Sequence, residues 1–178
     1  MDEISETIRK NREIADKFRA IGKSLDSFND AKDLFEKLLP RIQDEFGIPF
    51  VWISVIRRPE SGKLIRSLES SALLKDQLNL IDERSFLDLV SGEKSVLANR
   101  DLQPFYRLFP KNKKYFIKSI AVVPFALNGR IAGSINHGDA AQTRYEPDLD
   151  TGLLERLAGS LSSRLSRIVP PEPSEAGR

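Results

Sequence analysis

The chain has 178 residues, 40% hydrophobic and 30% charged, with a net charge of +2. That length supports one domain with an appendage, and the near-balanced charge supplies no global field toward nucleic acid or acidic lipid. There is no cysteine, which excludes disulfides, thiolate metal sites, cysteine nucleophiles and thioether-linked chromophores.

The amino terminus is charged from Asp2 onward, and no run of about 18 apolar residues occurs. A cytoplasmic protein with no membrane association is expected. Residues 2–28 read as a helix with a 3.5-residue stripe. With Ile4, Asn11, Phe18 and Leu25 at a, the d positions hold Thr7, Ile14, Ile21 and Phe28, a largely apolar seam. Asn11 at an a position is a register-setting residue for a parallel pair. Ile8 and Ala15 widen the apolar face, and Lys10 and Lys17 lack acidic partners across the seam. These features predict a helix shared in a dimeric bundle, with Ile4, Asn11, Ile14, Phe18, Ile21 and Leu25 at the interface. A helix lying on its own domain's sheet satisfies the same pattern.

A second helix is predicted from about Asp30 to Phe46. Asn29 or Asp30 caps it, Leu34, Phe35, Leu38, Leu39, Ile42 and Phe46 form its buried face, and Pro40 kinks it. Gly47 and Pro49 end it. Phe50 to Ile56 is a strand, and Pro59 to Gly62 turn into a second strand, Lys63 to Glu69. Residues 71–116 are the least legible. They hold a short helix over Ser85 to Ser91, a strand over Ser95 to Ala98 and a helix over Leu102 to Phe109. Ser119 to Leu127 and Arg130 to Gly138 form a hairpin around Asn128-Gly129, which suits a type I′ turn. The stretch Tyr145 to Ile168 closes the chain as a helix, with Glu146, Asp148 and Asp150 as carboxylates for its amino-terminal dipole and Pro147 in its first turn. The polar, proline-rich tail from residue 169 is expected to be disordered.

An α+β fold follows: a central, mostly antiparallel sheet with the long terminal helices on one face and the middle segments on the other. A two-residue turn pairs Leu127 with Arg130, Val123 with Ser134, Ala121 with Asn136 and Ser119 with Gly138. One face then carries Ile120, Val122, Ile131 and Ile135, suited to burial under the helices. The other carries Ser119, Ala121, Val123, Ser134 and Asn136. The first strand divides likewise, with Trp52 and Ser54 opposite Val51, Ile53 and Val55. Small side chains with sparse polar groups are the makings of a ligand pocket, although the same face closed by the middle segments is equally self-consistent.

The strand, the Asn-Gly turn, Gly133-Ser134-Ile135 and the leucine-rich final helix resemble the end of a GAF domain. Gly133-Ser134, Gly138-Asp139, Arg144-Tyr145-Glu146-Pro147 and Asp150 to Leu157 are similar to an uncharacterised bacterial GAF-like family, domain of unknown function family 484. The resemblance is close over residues 119–168 and extends through element order to about residue 30. It implies a sheet of about six antiparallel strands, parallel dimers through terminal helices, and sensory or regulatory roles with cyclic nucleotides, tetrapyrroles, haem or small metabolites. The cysteine-dependent relatives, which attach chromophores or reduce methionine sulfoxide, have no counterpart here. The cyclic-nucleotide signature is not found, and no ligand residue carries over from the family.

His137 is the single histidine and falls beside Ile120 on the apolar face, where a structural role is the better account. Asp139, Asp148 and Asp150 do not make a metal site. No phosphate-cradling glycine loop or nucleophile elbow occurs, so no catalytic residue, metal or required cofactor is expected, and the chain is not read as an enzyme. Tyr106, Arg107, Phe109, Lys111, Lys113, Lys114, Tyr115, Phe116 and Lys118 interleave aromatics with cations. Nucleic-acid binding uses such a mixture, but a lid over the pocket, or a solvated loop with its aromatics in the core, suits it better.

The expectation is a non-enzymatic GAF-like regulatory module of three parts: helix 1–29, domain 30–168 and tail 169–178. It forms a homodimer and holds an unidentified small ligand between the sheet and residues 100–118, at Trp52, Ser54, Tyr106, Arg107, Ser119, Ala121, Ser134 and Asn136. The alternative is a ligand-free scaffold that associates with another protein.

Overall fold

A helix with an apolar stripe needs a surface to cover it, and the first helix divides its stripe between two. In the computed structural model, which describes residues 2–109 and 115–171, α1 spans Asp2–Ser24. Asp2 and Glu3 stand at its positive end and Lys23 at its negative end, each favourable to the helix dipole. Ile21 and Leu25 are fully buried in the domain core, and Phe18 stacks on Phe46 with ring centroids 4.4 Å apart. Ile4, Ile8 and Ile14 are exposed.

Helix α2 spans Ala31–Phe46. The Asp30 side chain accepts a 2.8 Å bond from the Asp33 backbone N–H, and Gly47 closes the helix at φ 60°, a conformation open to glycine at no steric cost. The helix continues through Pro40, and Leu34, Phe35, Leu38, Leu39 and Ile42 are buried as the periodicity predicts. Strand β1 follows at Phe50–Ile56.

The next element overturns an expectation. Residues Gly62–Glu69 form helix α3, not a strand. Leu64 and Leu68, one turn apart, are both fully buried in the helix-side core with Ile65 packed against it. That spacing is a helical stripe. Strand β2, Leu78–Ile81, then runs parallel to β1 with Ile53 opposite Leu78. Parallel neighbours need a crossover, whereas a hairpin would join antiparallel ones. Helix α4 (Glu83–Leu89) is capped by Asp82, whose carboxylate accepts from the Ser85 N–H at 2.9 Å. Strand β3 is Val96–Ala98, and Gln103–Leu108 is a 3-10 helix.

Strands β4 (Ser119–Leu127) and β5 (Arg130–Asp139) form the expected hairpin, with Asn128 at φ 52° and Gly129 at φ 84°. The register changes beyond it. Ala126 pairs with Ile131 and Phe125 with Gly133, which leaves Ala132 as an extra residue on β5, a β-bulge. Past the bulge Val123 faces Ile135, Ala121 faces His137 and Ser119 faces Asp139. Among the described residues the sheet has five strands in the order β2-β1-β5-β4-β3, and only the β1–β2 pair is parallel.

The bulge re-sorts the two faces. Val51, Ile53, Val55, Phe125 and Ile135 lie in the core under α1, α2 and the last helix, with Ala121 and Val123 beside them against Leu154 and Ala158. Trp52, Ile56, Ile120 and Val122 pack with Phe86, Val90, Leu108 and Phe109 from the middle segments, and Ile131 packs against that cluster. Ile120, Val122 and Ile131 are therefore opposite to the face expected for them. Ser119, Ala121 and Val123 are likewise displaced, to the helix side.

The closing helix, α5, spans Gly152–Ile168 and begins after Tyr145 and its following acidic residues. Of those carboxylates Asp150 touches the helix start, its Oδ1 accepting from the Gly152 N–H at 2.8 Å. Beyond β3 the edge of β4 is protected: Pro124 has no N–H, and Ser162 and Ser166 of α5 accept from the Ala126 and Asn128 N–H groups at 2.8 and 2.9 Å. Such capping blocks strand addition. Val169, at the start of the expected disordered tail, is buried; residues 172–178 lie outside the described residues. Among the described residues no helix is long and apolar enough to cross a membrane.

Candidate functional site

Trp52 and Ser54 from β1 and Ser134 and Asn136 from β5 share one face, opposite the terminal helices, because β1 and β5 pair antiparallel with Trp52 opposite Asn136 and Ser54 opposite Ser134. All four are fully or almost fully buried. Their polar atoms serve one another. Ser134 Oγ donates to Asn136 Oδ1 at 2.7 Å, and Asn136 Nδ2 donates to Ser54 Oγ at 2.9 Å. Asn79 Nδ2, on β2, reaches Ser54 Oγ at 3.2 Å and the Arg107 carbonyl at 2.9 Å. The Trp52 indole N–H donates to the Leu108 carbonyl, and Phe109 meets the indole edge-on at 5.7 Å. Gly138 allows this placement, since a Cβ there would lie 3.1 Å from both Trp52 and Ile117.

The 3-10 helix Gln103–Leu108 thus closes the face expected to be open. Arg107 is turned away from the sheet, its Nη1 donating to Ser85 Oγ at 2.5 Å. Tyr106 sits against Phe109 with centroids 5.3 Å apart. Ser119 and Ala121 belong to the other face, and the Ser119 hydroxyl donates to the Ala141 carbonyl at 2.7 Å. Six of the eight expected ligand residues are therefore gathered on or over one face, and two are not. Asn79 was missed because Leu-Asn-Leu-Ile is too short to show a period. A closed network of this kind specifies packing. Asn136→Ala removes two of its bonds, strands the buried Ser134 hydroxyl and leaves Ser54 with the Asn79 amide alone, so urea unfolding should show a loss of about 2 kcal/mol. A change under about 0.5 kcal/mol would contradict the bonding described.

The helix side holds a pocket of about 470 Å³ between α1, the end of α2, β5 and residues 144–154. His137 lies in its wall, opposite Val51 and Ala121 and not on the face of Ile120. Tyr145 Oη stands 3.5 Å from its Nδ1, the outer limit of a hydrogen bond. Burial, with the nearby Arg144 guanidinium adding to it, lowers the His137 pKa to about 4, and burial raises that of Tyr145. Both side chains are neutral at pH 7. Arg144 Nη2 donates to the Phe46 carbonyl at 2.6 Å, and its Nη1 lies 3.6 Å from Asp139. The helix-side face is the one expected for His137, but sequence spacing could not join it to Tyr145, a contact set by how the segment between β5 and α5 folds back. A second, more polar groove of about 730 Å³ runs between α5 and β4, where the Ser162 and Ser166 hydroxyls already cap the strand edge. Among the described residues no three His, Asp or Glu side chains converge on a metal-sized site.

Lys111, Lys113 and Lys114 of the basic aromatic segment lie outside the described residues. Phe109 is buried, as a loop with tucked aromatics requires, but Tyr115 and Phe116 are 73% and 58% exposed. Of the six residues expected at a helix interface, Ile4, Asn11 and Ile14 are exposed, Phe18 is half-buried, and Ile21 and Leu25 are consumed by the domain's own core. The apolar face of α1 is thus buried on its own domain in the carboxy-terminal half and exposed in the amino-terminal half.

A family model described as "Protein of unknown function, DUF484" matches residues 1–169. No curated protein matches the chain.

Proposed function

We propose that the chain, which belongs to the DUF484 family, is a non-enzymatic, GAF-like regulatory module of the cytoplasm that forms a homodimer through the amino-terminal half of α1. The observation that carries the reading is the unpartnered isoleucine stripe. Ile4, Ile8 and Ile14 are 68%, 54% and 40% exposed on one side of a helix whose other half is anchored by Ile21 and Leu25. A contiguous apolar stripe next to charged flanks favours association. Asn11 lies within the stripe, where pairing with its counterpart would hold two helices parallel and in register. Arg9 donates to both Glu6 and Glu13 along the helix, its Nε reaching Glu6 at 3.2 Å and its Nη1 reaching Glu13 at 2.6 Å. They form a solvated back to that stripe. The reading treats residues 1–29 as a signalling helix, 30–168 as the domain and the remainder as a tail.

Light scattering at micromolar concentration should give a dimer. Ile8→Glu should weaken it about a hundredfold, by removing two isoleucines from the paired surface, and leave the thermal unfolding of the separated domain unchanged. A monomeric wild-type chain would sink the proposal.

The sealed network of Ser54, Asn136 and Ser134 favours a second feature of this reading. The face between the sheet and the 3-10 helix Gln103–Leu108 is filled by its own side chains and acts as structure, so the task of the module is association. A thermal-shift screen tests this, because a ligand lodged on that face would lose its effect in Asn136→Ala.

A further inference from the structure

The pocket beside His137 joins an apolar wall to a weakly bonded polar pair. Ile14, Phe18, Ile48, Leu153 and Leu154 supply hydrocarbon. His137 is only 2% exposed and lines this pocket, and the hydrogen bond its ring makes to the protein is the long Nδ1 contact to Tyr145 Oη at 3.5 Å. The charged groups at the rim are already engaged: Arg144 with the Phe46 carbonyl and Asp139, and Asp150 with the Gly152 N–H. A volume of about 470 Å³ is that of a small-molecule site.

We propose that this pocket binds a neutral amphipathic small molecule, its hydrogen-bonding head at His137 and Tyr145 and its hydrocarbon body along Ile14, Phe18, Leu153 and Leu154. A neutral imidazole offers one donor and one acceptor, which suits a hydroxyl or amide head. A carboxylate head would enter beside Asp150, and the one cation among the described residues of the wall, Arg144, is already turned to the Phe46 carbonyl and Asp139; burying such a charge is unfavourable. The body of the ligand rests on α1, so occupancy braces the helix that carries the isoleucine stripe. The site itself does not require that α1 pairs.

The probes are 1-octanol and octanoate, which share a chain and differ in the head. His137 is the single histidine, so its ring resonance in the full chain reports this pocket alone. At pH 7, 1-octanol should shift that resonance saturably, and octanoate should bind at least about tenfold more weakly. Tyr145→Phe should weaken 1-octanol up to about tenfold, the worth of one hydrogen bond. Leu153→Trp, which fills the pocket without touching the head partners, should abolish the shift. Ile8→Glu, outside the pocket, should bind as the wild type does. The proposal falls if 1-octanol gives no saturable shift, if octanoate binds as well or better, or if neither pocket variant changes binding. It also falls if only Ile8→Glu binds, because the wild-type pocket is then covered by a second copy; a failure of dimerisation alone leaves the 1-octanol result to stand or fall by itself.

Discussion

Gly133→Ala should lower the unfolding free energy by about 3 kcal/mol or more, read as a fall in the urea midpoint with an unchanged slope. A Cβ at position 133 would lie 2.1 Å from the Ser54 carbonyl oxygen and 3.1 Å from the Phe125 ring. The first of these is backbone and cannot swing aside. Gly133 sits directly after the bulged Ala132, opposite Val55 on one side and Phe125 on the other. Relief of the clash therefore means prising β1 from β5 at the centre of the sheet. Overpacking against mobile side chains costs about 1–3 kcal/mol, and a fixed obstacle belongs at or above the top of that range. Against a total stability of about 5–15 kcal/mol the loss is large. Gly129→Ala is the contrast. Its φ of 84° strains an alanine, but a Cβ there meets nothing within 4 Å, so it should cost about 1 kcal/mol. Equal effects at the two glycines would refute the close approach of β5 to Ser54.

The second large effect is a loss of stability on acidification that belongs to His137. Its pKa in the folded chain is about 4, against an ordinary value of 6.5, because burial disfavours the imidazolium and the Arg144 guanidinium repels it. The unfolded chain therefore takes up a proton as pH falls below 6.5 while the folded chain does not. Stability contributed by the neutral ring is complete above pH 6.5 and is lost as pH falls toward 4. At 1.36 kcal/mol per pH unit the difference amounts to about 3 kcal/mol. Tyr145, Arg144 and Asp150 line the same pocket, with Asp139 beside Arg144, and these groups are retained in His137→Gln. The wild type should thus lose about 3 kcal/mol more than His137→Gln between pH 7 and pH 4, with the carboxylates cancelling in the difference. Parallel pH profiles for the two proteins would contradict the burial of a neutral ring, as would a ring resonance that titrates near 6.5.

The register of the hairpin depends on one residue, the bulged Ala132, that the primary structure did not reveal. The Asn128-Gly129 turn was legible because positive φ at two adjacent positions admits few residue types, and Asn128 and Gly129 adopt it. Counting outward from that turn with strict pairing placed Val123 opposite Ser134, one position out. The signal that could have found the bulge was Gly133, since an isolated glycine in a strand often marks one. Ser134 and Asn136 nonetheless stayed with Trp52 and Ser54, because β5 pairs with β1 beyond the bulge without further slip. Ser119, Ala121, Ile120 and Val122 exchanged faces because they belong to β4, whose register is counted across the bulge.

The Lys63–Glu69 misreading has a different cause. Leu64 and Leu68 suit a strand's alternation as well as a helical turn, and a run of eight residues is too short to separate the two periods. The arbiter was β2, whose parallel pairing with β1 demands a crossover. Four residues gave no hint of that strand.

Local chemistry determined what depends on neighbours in the chain: the Asp30 cap, the apolar stripes of α1, α2 and α5, the Asn-Gly turn and the α+β plan. Tertiary structure alone decided what depends on contacts between distant segments. It chose the face of each β4 residue, sealed the polar patch with Asn79 and the 3-10 helix, set His137 against Tyr145 and split the α1 stripe between a core and an open surface. The physical reason is that periodicity states which residues must be covered, whereas the identity of the cover is settled only when packing brings the segments together.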